Sequence, residues 1–348
     1  MIVEQAKAVA RQWVVEEGSR APGFCGAFYH GSVAWLPDDA TLPTTSDVDV
    51  MVVLADPNPP VKPGKFRYRS VLLEISYLPS DQLRSPELVL GQSHLAGSLR
   101  TASIILDPSS RLTPLQVTVA RDYAKRRWVY QRCEHARDKL LGYLRSLRES
   151  GSAPLHEQVT AWLFATGITT HVLLVAGLQN PTVRRRYLAA RELLAEYGQA
   201  AFYETLLDLL GCARISRTRA EQHLAALAEV FDVAAAVVKT PFPFASDLSA
   251  VARPIAIDGS RELIERGDHR EAIFWLVATA SRCQQVLYHD APVELQQRFR
   301  PGYRRLLADL GIASFADLRR RGAQVEDFVP RLWEVAEAIM AANPGIED

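Results

Sequence analysis

Apolar residues recur at helical spacing at Val3, Ala6, Ala10, Trp13 and Val14, up to Gly18, which predicts an amphipathic helix over residues 1–18. From Gly23 the period changes. GFCGAFYHGS predicts a short strand entering a Gly-Ser turn, WLPDDATLPTTS a turn-rich stretch, and DVDVMVVLAD an alternating strand that becomes continuously apolar and stops at Asp56-Pro57. Residues 57–65, rich in Pro and Lys, read as a surface connection. FRYRSVLLEISYLP, 66–79, predicts one further strand, with Leu73, Ile75 and Tyr77 on one face and Leu72, Glu74 and Ser76 on the other. SDQL at 80–83 then reads as a helix N-cap, and TASIILDP at 101–108 predicts a third clear strand ended by Asp-Pro.

Beyond about residue 112 no strand pattern remains. Helical patterns run over 113–149, 155–178, 182–198, 200–211 and 217–238. A Pro-rich break at 240–254 precedes a last helical group over 259–290, 292–309, 315–321 and 325–342. The fold class expected is therefore α+β, a small mixed sheet followed by an all-α region. Three segments follow from this: an α/β domain at 1–112, a helical domain at 113–240 and a C-terminal helical region at 255–348.

Composition narrows the picture. With 48% hydrophobic residues against 23% charged, the chain of 348 residues can bury real cores. Forty basic residues balance forty acidic ones, and a neutral total argues against nucleic acid or a membrane surface as the main partner, since both usually need a basic excess. The four cysteines, at 25, 133, 212 and 283, lie far apart without metal-ligand spacing. A cytoplasmic location is the expectation, with Glu4, Lys7 and Arg11 interrupting any signal-peptide pattern. One segment imitates a membrane span, Ala161 to Leu178, but its three threonines, two glycines and histidine favour a buried core helix.

Three carboxylates converge in this layout. Asp47 and Asp49 stand at i and i+2 of one strand, so their side chains leave the same face about 6–7 Å apart, and Glu74 faces outward from the next strand, about 5 Å away. Such a cluster repels itself unless cations neutralise it. Mg²⁺ fits all-oxygen ligands, and two such ions can clamp the attacking and leaving oxygens of a nucleotidyl transfer. Metal, rather than the basic residues elsewhere, is the neutralising cation expected here. Upstream, Gly31 and Ser32 lie where a strand meets a turn, and there a glycine lets backbone N–H groups approach a phosphate.

Gly31-Ser32, fourteen residues, Asp47-Val48-Asp49 and then an acidic residue on the following strand together resemble the signature of the polymerase-beta-like nucleotidyltransferase superfamily. The nearer likeness is to kanamycin and other aminoglycoside nucleotidyltransferases. VLLEISYLPSDQL, 71–83, is similar to their metal-ligand strand and the helix start after it, and SIILDPSSRL, 103–112, to their next strand and turn. The likeness fades by about residue 210. The Gly-Ser to Asp spacing is slightly longer than usual for the family, and Trp35 stands where a small or basic residue often follows.

The resemblance implies that Asp47, Asp49 and Glu74 bind two Mg²⁺ ions and that Gly31 and Ser32 hold the triphosphate of ATP or another NTP. It also implies that a carboxylate from the first helices after the sheet deprotonates the acceptor hydroxyl. Asp138 is nearest the expected place, with Glu134 one turn earlier as its rival. The function expected is transfer of AMP, or another NMP, to a hydroxyl of a small molecule, an aminoglycoside-type antibiotic being the first candidate, by a monomer or homodimer. Two alternatives stand beside it: a protein-modifying or antitoxin-like nucleotidyltransferase, and a nucleotide-binding module without turnover.

Overall fold

The structure is a computed structural model that describes residues 1–348. It is α+β: a five-stranded mixed sheet in the N-terminal part and a mostly helical region after it. The chain divides into two units, one of residues 1–132 with 241–247 and 344–348, the other of 133–240 with 248–343.

In the first unit the strands are β1 (Phe24–His30), β2 (Val48–Leu54), β3 (Gly64–Tyr68), β4 (Val71–Pro79) and β5 (Ile104–Leu106), in the spatial order β3-β4-β2-β1-β5. Only β2 and β4 run parallel; the other neighbours are antiparallel. Helix α1 (Val3–Glu16) lays Val3, Ala6, Ala10, Trp13 and Val14 against Val48, Val50, Val52, Leu73 and Ile75. The alternate residues of the same strands point the other way. There Phe28, Val53 and Leu78 pack with α2 (Pro86–Leu90), α3 (Ser93–Leu99) and α4 (Leu112–Asp122) through Val89, Leu95, Leu99 and Val119. Period-two alternation therefore decides which side of the sheet carries chemistry, because Asp49 and Glu74 fall on the face opposite α1.

One sequence expectation is corrected. Residues 66–79 are not one strand but a hairpin, with Tyr68 and Val71 paired and Arg69-Ser70 as its two-residue loop. Arg69 adopts φ 54°, the left-handed backbone that tight hairpin turns require. No glycine or proline announces this turn, so the run reads as a single strand. The former connection 57–65 consequently contributes its last residues to β3.

Helix α5 (Arg126–Glu149) leads into the second unit, which also holds α6 (Leu155–Ala176), α7 (Arg186–Glu196), α8 (Ala200–Leu210), α9 (Arg217–Val237), α10 (Gly259–Glu265), α11 (His269–Asp290), α12 (Val293–Asp309) and α13 (Phe315–Ala342). Helix α6 is apolar around its whole circumference because α7, α8, α11 and α13 all pack on it. Its most apolar window has the length and hydropathy of a membrane span, yet 83% of that window is buried inside the protein, as a core helix requires. The helices on either side of the Pro-rich segment belong to this same unit, while residues 241–247 return to the first.

Candidate active site

Strand register builds the site. In β1, β2, β4 and β3 the residues His30, Asp49, Glu74 and Lys65 are successive cross-strand partners, so the four form one row across the sheet. Neighbours in a row share a face, and this row lies on the side away from α1. Asp47, one residue before β2 begins, joins the row from the end of the sheet. One carboxylate oxygen from each of Asp47, Asp49 and Glu74 lies within 4.8 Å of the others. The convergence read from the sequence is thus present in three dimensions.

Gly31 is fixed by the same geometry. Its φ is +60°, and a Cβ placed on it would overlap the Asp49 carboxylate, so both backbone conformation and space demand glycine. Gly31 and Ser32 open a short 3-10 turn, Gly31–Ala34, directly after β1, and Ser32 accepts hydrogen bonds at its carbonyl from the N–H groups of Trp35 and Leu36. Trp35 packs under the Arg100 guanidinium, 3.7 Å from the indole ring, and against Gly97. His30 shares a 2.6 Å hydrogen bond between Nδ1 and the Ser98 hydroxyl, and burial lowers its pKa to about 4, leaving the ring neutral at physiological pH.

Two lysines were not foreseen. Lys65, with a side chain only 8% exposed, places its ammonium 2.8 Å from Asp47 Oδ2 and 3.2 Å from Asp247 Oδ1 and pairs closely with Glu74. Lys62 reaches the other Glu74 oxygen at 2.6 Å. The expectation that metal alone neutralises the cluster, with the basic residues elsewhere, is therefore corrected: two ammonium groups are built into it. Their signal in the sequence is compositional. The chain has 6 lysines among its 40 basic residues, and two of the six stand three positions apart just before β4.

Asp247 is a fourth carboxylate that the sequence did not single out. It lies in the 241–247 segment, whose Ser246 packs so closely on Gly64 that a Cβ there would collide with it; Gly64 takes φ +71°. This strap over the start of β3 holds the anion that secures Lys65.

The electrostatics follow from burial and these partners. Asp49 sits deepest, and burial, followed by the nearby charges of Asp47 and Glu74, pushes its carboxyl well above the usual range. Burial would raise Glu74 as well, but Lys65 and then Lys62 outweigh it and hold the pKa at about 2. Burial would lower Lys65, yet Asp47, Asp247 and Glu74 together keep it raised. Four carboxylates, Asp47, Asp49, Glu74 and Asp247, face two ammonium groups, so the cluster is short of two positive charges. An all-oxygen donor set with that balance fits a hard divalent cation.

Asp138 and Glu134 lie on α5 in the second unit. Both pair with Arg137, Glu134 at 3.3 Å and Asp138 at 3.4 Å, and the Asp138 side chain is 67% exposed. The inward-turned side of the same helix carries Cys133, Ala136, Leu140 and Leu144.

Comparison with protein-family models gave no match, and a search of curated proteins found no significant relative.

Proposed function

We propose that this protein is a Mg²⁺-dependent nucleotidyltransferase that moves a nucleoside monophosphate, AMP in the first instance, from an NTP to a hydroxyl of a small molecule and releases pyrophosphate. The observation that carries this reading is the row at the sheet end: Asp49 and Glu74 side by side, Asp47 beside them, and Gly31 pressed against the Asp49 carboxylate. The motif resemblance agrees with this reading, because the same residues make up the Gly-Ser, Asp-x-Asp and strand-acid signature.

Asp47, Asp49 and Glu74 would hold the divalent ion, which supplies Lewis-acid stabilisation of phosphoryl charge. The residues of the chain do the remainder. The left-handed Gly31 starts a turn beside the Asp49 carboxylate, and backbone N–H groups of that turn together with the Ser32 hydroxyl would donate to a triphosphate. Glu74, kept ionised by Lys65 and Lys62, stays an acceptor across the physiological pH range. By the resemblance alone, Asp138, or Glu134 one turn earlier, would be the residue that takes the proton from the acceptor hydroxyl. The acceptor class that the resemblance suggests is an aminoglycoside-type antibiotic, and a cytoplasmic location suits an NTP-consuming enzyme.

A second reading is favoured by one observation, the pairing of Lys65 with three carboxylates. Ammonium groups that neutralise the cluster suit a module that binds nucleotide without turning it over. Pyrophosphate release from each NTP with Mg²⁺, across a panel of aminoglycosides, lincosamides and other hydroxylated metabolites, separates the two. Acceptor-dependent release lost in Asp47→Asn supports transfer; nucleotide binding with no release from any acceptor supports the module.

A further inference from the structure

Away from the sheet, the second unit holds another group of metal-ligand side chains, and we propose that His156, Glu157 and His289 form a binding site for a borderline transition-metal ion such as Zn²⁺. One ligand atom from each of the three lies within 4.8 Å of the other two. His156 and Glu157 sit in the first turn of α6, and His289 in the last turn of α11, so one ion bridges the start of one core helix and the end of another.

A second observation points independently to a ligand. His156 is 5% exposed, and its Nε2 is buried with no hydrogen-bond partner. Buried polar atoms are almost always satisfied, because leaving one unpaired forfeits the hydration it had in the unfolded chain.

The surroundings fix the donors. The Tyr288 ring lies 5.5 Å from the His156 ring and 5.1 Å from the His289 ring, in contact with both. Asp290, the nearest other carboxylate in sequence, is committed elsewhere: it accepts from the backbone N–H groups of Lys239 at 2.8 Å and Thr240 at 3.0 Å. That leaves two imidazoles and one carboxylate. Such a set suits Zn²⁺, Co²⁺ or Ni²⁺ and not Mg²⁺, which prefers oxygen ligands and water. Tetrahedral bonds of about 2.0–2.1 Å put ligand atoms about 3.4 Å apart, so any wider pair among the three has to draw in by no more than the difference from 4.8 Å. Glu157 and His289 are exposed and can turn to do so, whereas His156 is held. Three protein ligands leave a coordination position for water.

The test uses the full chain dialysed against Zn²⁺ with Mg²⁺ in excess, metal being counted per chain, and Co²⁺ in place of Zn²⁺ for its visible d–d absorption. The expected result is one Zn²⁺ per chain, with affinity falling more than about 100-fold in His289→Ala and in Glu157→Gln, two exposed positions whose folding is checked by circular dichroism. Asp49→Asn should leave this uptake unchanged, which separates the site from the acidic cluster. No stoichiometric uptake by the wild type, uptake equal in wild type and His289→Ala, or uptake abolished by Asp49→Asn would each overturn the proposal. None of these outcomes bears on nucleotidyl transfer.

Discussion

Lys65 of β3 stands directly opposite Glu74 of β4, and its ammonium also reaches Asp47 Oδ2 at 2.8 Å. One side chain thus ties together two of the three carboxylates expected to hold metal, and Asp247 holds it from the other side at 3.2 Å. Without a divalent ion this lysine is the main counter-charge of the site. With one, the two cations share the same anions.

That arrangement predicts the behaviour of Lys65→Met. Removing one member of a buried ion network leaves the others uncompensated, which costs about 3–5 kcal/mol. The metal-free variant should unfold at lower denaturant than wild type, and Mg²⁺ should recover more stability in the variant than it adds to wild type. Urea unfolding with and without Mg²⁺ measures both, and equal Mg²⁺ responses would count against the shared-anion picture.

Gly31→Ala tests the close approach at the turn. A left-handed alanine costs about 1–2 kcal/mol before any collision, and its methyl group would displace the Asp49 carboxylate. The expected outcome is a modest loss of stability together with weaker divalent binding, measured by calorimetric titration with Mg²⁺ or Mn²⁺. Unchanged metal affinity would show that Asp49 does not need its present position.

The raised pKa of Asp49 gives a pH dependence of definite sign. Its folded-state value lies above the ordinary 3.8, so the folded chain keeps a proton that the unfolded chain gives up. The stability this lends is complete below 3.8 and is lost as pH rises through the folded-state value. Glu74 acts oppositely, its contribution being lost only as pH falls from 4.5 towards about 2. Metal-free Asp49→Asn should therefore gain stability relative to wild type as pH rises from 4 to 8, a trend that chemical unfolding across that range would detect. A difference independent of pH would contradict it.

The choice of base is open to a direct comparison. Asp138→Asn and Glu134→Gln should differ in kcat with little change in KM for the NTP, because proton removal acts on the acceptor and not on nucleotide binding. Asp138, whose side chain is 67% exposed against 38% for Glu134, is expected to show the larger loss.

Much of this site was legible in the sequence because strand alternation is a local property. The period-two pattern through Asp47, Asp49 and then Leu73, Glu74 and Ile75 was enough to put three carboxylates on one face. Their lysine partners were not legible, since Lys65 meets Glu74 only through the β3–β4 hairpin, and that turn is made by Arg69 and Ser70 without glycine or proline. Asp247 was still harder to find. It is 182 positions from Lys65 along the chain, and no periodicity links a Pro-rich strap to the strand it covers. The helices fared similarly: their existence followed from apolar spacing, whereas the break between α4 and α5 and the unbroken run of α13 past residue 321 depend on packing.

The central claim is tested most directly by pyrophosphate release from ATP and the other NTPs, with Mg²⁺, over the panel of hydroxylated acceptors. The account predicts release that requires one acceptor class and falls to background in both Asp47→Asn and Asp49→Asn. Release that persists in those variants, or none with any NTP and acceptor, would contradict it.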